Sequence, residues 1–136
     1  MNVHRNLAMP GSTPPRGYSD GTLVGKAGRT VFLAGHVSFD SRRNILHPGQ
    51  LVPQVRQALV NLKATLSAAG ALPEHLVKMT IYTLDVSAYR EHLHEIGEVW
   101  REVLGPTYPA MTLLGVRELF DEGALIEIEG IAVVPE

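Results

Sequence analysis

Apolar residues recur along this chain in two rhythms. From Leu51 to Ala69 they fall at Val52, Val55, Leu59, Leu62, Leu66 and Ala69. Steps of three and four put them on one face of an amphipathic helix. Pro53 suits the first turn of that helix, where a missing N–H costs nothing, and Gly70 stands where a C-terminal cap belongs. A second stripe at Tyr89, Leu93, Ile96, Trp100 and Val103 predicts a helix over Ala88 to Leu104, capped by Ser87 and stopped by Gly105-Pro106. Shorter β-rich runs predict strands at Gly21 to Gly25, Thr30 to Ala34, Val77 to Leu84, Ala110 to Val116 and Leu125 to Val134. The turn Lys26-Ala27-Gly28-Arg29 joins the first two strands as a hairpin. Ahead of them, Pro10, Gly11, Pro14, Pro15 and Gly17 break any period, so residues 1–16 read as an irregular arm and 17–136 as one domain.

The order β-β-α-β-α-β-β, with one apolar stripe per helix, predicts an α/β (α+β) fold. It is a two-layer sandwich: a mixed sheet with both helices on one face. The other face is left without a helix to cover it. Val31, Leu33, Leu113 and Leu125 do not read as a wet surface, so further copies of the chain are expected to cover the sheet.

On the last strand Glu127 and Glu129 alternate with Ile126 and Ile128. Side chains on a strand point to opposite faces in turn, so the two carboxylates share a face. They could orient water or move a proton in a cleft. They could also form salt bridges or a solvated face, the reading that spacing alone favours.

Composition narrows the chemistry. The chain has 136 residues, 45% of them apolar, with a net charge of −2 and no cysteine. Thiol catalysis, disulfides and a cysteine-based zinc site are therefore excluded. No basic stripe advertises nucleic acid, and no run of about 18 apolar residues suits a bilayer, so a cytoplasmic protein is the default expectation. None of the six histidines makes a helical i, i+4 pair, which leaves metal without a motif. His36 stands apart because it follows Gly35 at a strand end, where binding loops begin; its position alone favours a turn histidine bonded to backbone. Tyr18 either folds over a pocket or packs an arm on the core. No phosphate loop, dinucleotide fingerprint or serine-hydrolase elbow is present.

Several segments taken together resemble the Rid family, also called the YjgF or reactive-intermediate deaminase family. They are Tyr18 before the first strand, Val31-Phe32-Leu33-Ala34-Gly35-His36, Gln54-x-x-Gln57-x-x-x-Asn61-Leu62, and Ala68-Ala69-Gly70. Val77-Lys78-x-Thr80-x-Tyr82-x-x-Asp85, Tyr108-Pro109-Ala110 and Ile126-Glu127-Ile128-Glu129-Gly130-Ile131-Ala132 complete the set. The resemblance implies a chorismate-mutase-like fold and a homotrimer whose clefts between subunits hold the ligand. It also implies hydrolysis of reactive enamines and imines to a keto acid and ammonia, without metal or cofactor.

Residue by residue, the resemblance makes Glu127 the water-positioning glutamate, Tyr18 the cleft tyrosine and Gly35 the glycine that approaches the ligand. His36 stands where many relatives carry another polar residue. Met111 occupies the place of the arginine that pairs with the substrate carboxylate. A thioether cannot make that pairing, so an altered substrate range is expected. The readings that follow are a deaminase of a small enamine or imine, then a trimer that binds a small metabolite without turnover, and last an RNA- or ribosome-interacting protein.

Overall fold

The computed structural model describes residues 3–25 and 28–136. Six strands and three helices follow in order: β1 His4–Leu7, β2 Gly21–Val24, β3 Gly28–His36, α1 Leu51–Ala68, β4 Leu76–Thr83, α2 Val86–Glu91, α3 Leu93–Leu104, β5 Ala110–Gly115 and β6 Ile126–Pro135. Strands β3, β6, β4 and β5 lie side by side in that order in one sheet. β6 is antiparallel to both β3 and β4, while β5 runs parallel to β4 after the α2–α3 crossover. The sheet is therefore mixed, with the helices packed on it as expected.

The core lies between the sheet and α1 and α3. Leu33, Met79, Ile81, Ile126, Ile128 and Ala132 from the sheet meet Val55, Leu59, Leu62, Leu66, Ile96 and Trp100 from the helices. The Trp100 indole N–H donates to the Thr107 carbonyl at 2.8 Å, so its polar edge is satisfied. Val31 and Leu113, which do not read as a wet surface, pack with Leu33 against this core. The face away from the helices carries Lys78, Thr80 and Tyr82 on β4 and Glu127, Glu129 and Ile131 on β6, all half-buried. Phe32, in register with Ile131, is 77% exposed there. The uncovered apolar surface is thus real but built from other residues.

Three expectations are corrected. The arm is not wholly irregular, because His4–Leu7 forms β1 and pairs antiparallel with β2. The expected hairpin is absent among the described residues: β2 pairs with β1, and β3 pairs with β6. Lys26 and Ala27 of its turn lie outside the described residues, and Gly28 and Arg29 already belong to β3. The second helix is two helices, capped by Asp85 rather than Ser87; the Asp85 carboxylate accepts from the Ala88 N–H at 3.0 Å. The break falls at His92, whose ring Nδ1 and backbone N–H both engage the Ala88 carbonyl. It turns Leu93 out of the apolar stripe, to 58% exposure.

Candidate functional site

An irregularity in β3 decides what the site contains. Leu33 pairs with Gly130 and His36 with Ile128, so Ala34 and Gly35 together oppose the single residue Glu129. This is a β-bulge, which reverses the facing of everything beyond it. Leu33 and His36 consequently share the helix-side face. There His36 Nδ1 donates to the Ala34 carbonyl at 2.6 Å, and Nε2 accepts from the Thr65 hydroxyl at 2.8 Å. Its ring also stacks on Phe39, which lies under the Arg43 guanidinium. Burial foremost, with Arg43 adding to it, pushes the His36 pKa below its usual value, against the Ala34 carbonyl. His36 therefore serves the fold of the β3–α1 connection and is turned away from Glu127. Within one chain its ring is engaged with the fold and not with the Glu127 face.

Gly35 and Glu127 are brought together. The Glu127 carboxylate lies against the Gly35 Cα, so closely that a Cβ there would overlap it. This close approach is what glycine alone permits. Glu127 is in register with Tyr82 on β4, and the Tyr82 hydroxyl reaches diagonally to Glu129 at 3.4 Å. The alternation read from the sequence holds: Glu127 and Glu129 share the open face, and Ile126 and Ile128 are fully buried behind them. Partial burial raises the Glu127 pKa above the ordinary carboxylate value, and the charges of Asp121 and Glu129 raise it further. Such a group holds a proton at higher pH than a free carboxyl, which suits it to give and take protons.

Tyr18 and Met111 form a second group, at the β5 edge. Ser19, beside the 44%-exposed Tyr18, bridges to Ala110, and its N–H donates to the Pro109 carbonyl at 3.0 Å. Met111 is half-buried, in register with fully buried Met79, and packs against the core. It faces the helix layer, whereas Glu127 faces the other way. β4 stands between their strands, so about 10 Å of sheet separates them laterally as well. One chain thus does not bring Tyr18 and Met111 to Glu127.

Sequence reasoning missed two features. Gln54 is fully buried in α1: its Nε2 donates to the His47 and Gly123 carbonyls, and its Oε1 accepts from the Leu125 N–H at 2.8 Å. It pins the 116–125 connection to α1 and so fixes where β6 begins. The second is a cavity of about 480 Å³ between the start of α1, the end of β4 and α2, lined among others by Val52, Leu84, Asp85, His92, Glu95 and Leu125. It touches none of Tyr18, Gly35, His36, Met111 or Glu127. We place the site at Glu127 because a charged group with a shifted pKa in close backbone contact is a stronger chemical feature than open volume. Among the described residues no cluster of metal-ligating side chains occurs, and no helix is long and apolar enough to cross a membrane.

Residues 12–134 match the family model described as Endoribonuclease L-PSP. The chain belongs to this family, the Rid (YjgF/RidA-like) proteins. A RutC family protein of Pyrococcus horikoshii is 36% identical over 107 residues, 79% of this chain and 81% of that protein. A protein of Dermatophagoides farinae named 2-iminobutanoate/2-iminopropanoate deaminase is 31% identical over 135 residues, 98% of this chain and 99% of its own. In structure, the Rid protein YyfB of Yersinia pestis, described as of unknown function, superposes with a TM-score of 0.85 at 29% identity. That match covers 97% of this chain and 99% of the other. The fold is the Rid-family fold.

Proposed function

We propose that this Rid protein hydrolyses a small reactive enamine or imine to a keto compound and ammonia, with a substrate range altered from that of the deaminase relatives. The observation that carries the reading is the half-buried Glu127 carboxylate set against the Gly35 Cα, its pKa raised by burial and by Asp121 and Glu129. Glu127 takes a proton from water as the water oxygen bonds to the imine carbon and passes it to the imine nitrogen, giving a carbinolamine. It then takes the carbinolamine hydroxyl proton and passes it to the amino nitrogen as the C–N bond breaks, so ammonia leaves and a carbonyl remains. One imine and one water thus become one carbonyl compound and one ammonia, and the glutamate ends as it began.

The site is completed between subunits of a homotrimer. The opposite facing of Met111 and Glu127, with β4 between them, supports this: Gly35–Glu127 from one copy would meet Tyr18 and the Met111 strand of the next. Phe32 at 77% exposure and Leu114 at 38% are further apolar surface for such contacts. The altered range follows from Met111, which offers no charge-assisted bond to a carboxylate. The test is ammonia release from imines generated in situ, with molecular mass by light scattering alongside. Turnover by a trimer is expected. A monomer would remove the intersubunit cleft, and binding of imine without turnover would leave a binding protein.

A further inference from the structure

Resting on that reading of the site, we infer that the cleft selects imines without a carboxylate, taken as the neutral imine or the iminium cation. Four features of the structure support this selection. Beside Glu127 on the same strand face stands Glu129, and Asp121 lies close enough to act on its charge. Tyr82, across from Glu127 on β4, is spent on Glu129 and brings no positive charge. From β3 the Gly35 backbone at the bulge lies against Glu127 and brings no positive side chain. Among the described residues no salt bridge reaches Glu127.

On the open face of β4 Lys78 stands four positions from Tyr82, about 13 Å away, and its Nζ donates to Thr112. On the edge strand, the position after Tyr108-Pro109-Ala110 holds Met111, packed against the core. From the residues of the Glu127 wall a substrate carboxylate would therefore meet like charges and no cationic partner. An iminium nitrogen would meet opposite charge at the same distances. At a separation near 6 Å and an effective dielectric between protein and water, each such charge changes affinity roughly tenfold.

Two imines of similar size test this. 2-Iminobutanoate is generated from 2-aminobutanoate by an amino-acid oxidase, and propan-1-imine from propylamine by an amine oxidase. Ammonia release is followed for each against buffer. The kcat/KM for propan-1-imine is expected to exceed that for 2-iminobutanoate at least tenfold. Glu129→Gln and Asp121→Asn should each narrow the ratio several-fold, and added salt should narrow it in the wild type. A parallel NMR titration with propylammonium and butanoate separates this inference from the deaminase reading. Propylammonium binding with butanoate excluded, and no turnover, would uphold the charge selection and end the deaminase reading. Equal or faster turnover of 2-iminobutanoate would overturn the charge selection and leave the deaminase reading standing. Binding and turnover of neither compound would overturn both.

Discussion

The carboxylate of Glu127 rests on the Cα of Gly35, across the β3–β6 pairing and beside a bulge that frees the backbone there. A side chain at position 35 would require the Glu127 carboxylate to move. Gly35→Ala is expected to cost about 1–3 kcal/mol, the ordinary range for forcing atoms into a filled site. In a Glu127→Ala background the same change should cost less than half as much, since the overlapping group is gone. Denaturant unfolding of the four proteins in this cycle measures the coupling. Equal costs in both backgrounds would show that the two residues do not touch.

His36 makes stability depend on pH in a predictable direction. Its folded pKa is depressed, chiefly by burial. Between that value and its ordinary value near 6.5 the unfolded chain binds the extra proton, so stability falls as pH drops through this window. Above the window the contribution is complete. Chemical denaturation from pH 7.5 to 5 should show this fall, and His36→Asn should show a flatter profile. The Glu127 contribution runs the other way. Its folded pKa is raised, so its burial favours the folded state at low pH and loses that effect as pH rises through the folded value.

Gln54 is expected to matter more than its place on a helix suggests. Gln54→Leu keeps an apolar volume but leaves the Leu125 N–H and two carbonyls without their partner. A loss of about 1–3 kcal/mol is expected for buried polar groups left unpaired. Hydrogen exchange at Leu125 should accelerate before exchange in the centre of β6, because the tie is at the strand's start.

Met111 should behave as a half-buried packing residue within the subunit. Met111→Ala is expected to cost about 1–2 kcal/mol, under the range for a fully buried methionine. Because Met111 of one copy is proposed to meet Glu127 of the next, Met111→Ala should shift the Glu127 titration, followed by carboxyl ¹³C NMR. An unchanged midpoint would count against the intersubunit cleft, since β4 separates the two groups within one chain.

The parts of this fold that local rules determine were legible in the sequence. The α1 stripe from Val55 to Leu66 and the alternation of Ile126 and Ile128 with Glu127 and Glu129 come straight from the helix and strand periods. Non-local choices were hidden. Whether Gly21–Val24 pairs with the strand after it or with His4–Leu7 depends on competing partners, and neither pattern is strong. The bulge at Ala34-Gly35 was legible only as a glycine taken to end the strand. Its effect, turning His36 to the helix side, depends on the register with β6. The break at His92 likewise lies in hydrogen bonds to Ala88 that an uninterrupted apolar stripe conceals. Met111 could be aligned with a site position, yet the side of the sheet it faces required the parallel pairing with β4.

The most direct test of the central claim is the rate of ammonia release from an imine made in situ, for the wild type and for Glu127→Gln. The amide keeps the shape of the side chain and its contact with Gly35 but cannot take a proton. Hydrolysis above the buffer rate by the wild type is expected, with kcat lowered at least about a hundredfold in Glu127→Gln and unfolding free energy little changed. Wild-type turnover that Glu127→Gln leaves intact would contradict the assignment of Glu127, and no acceleration of any imine by the wild type would contradict the proposed activity itself.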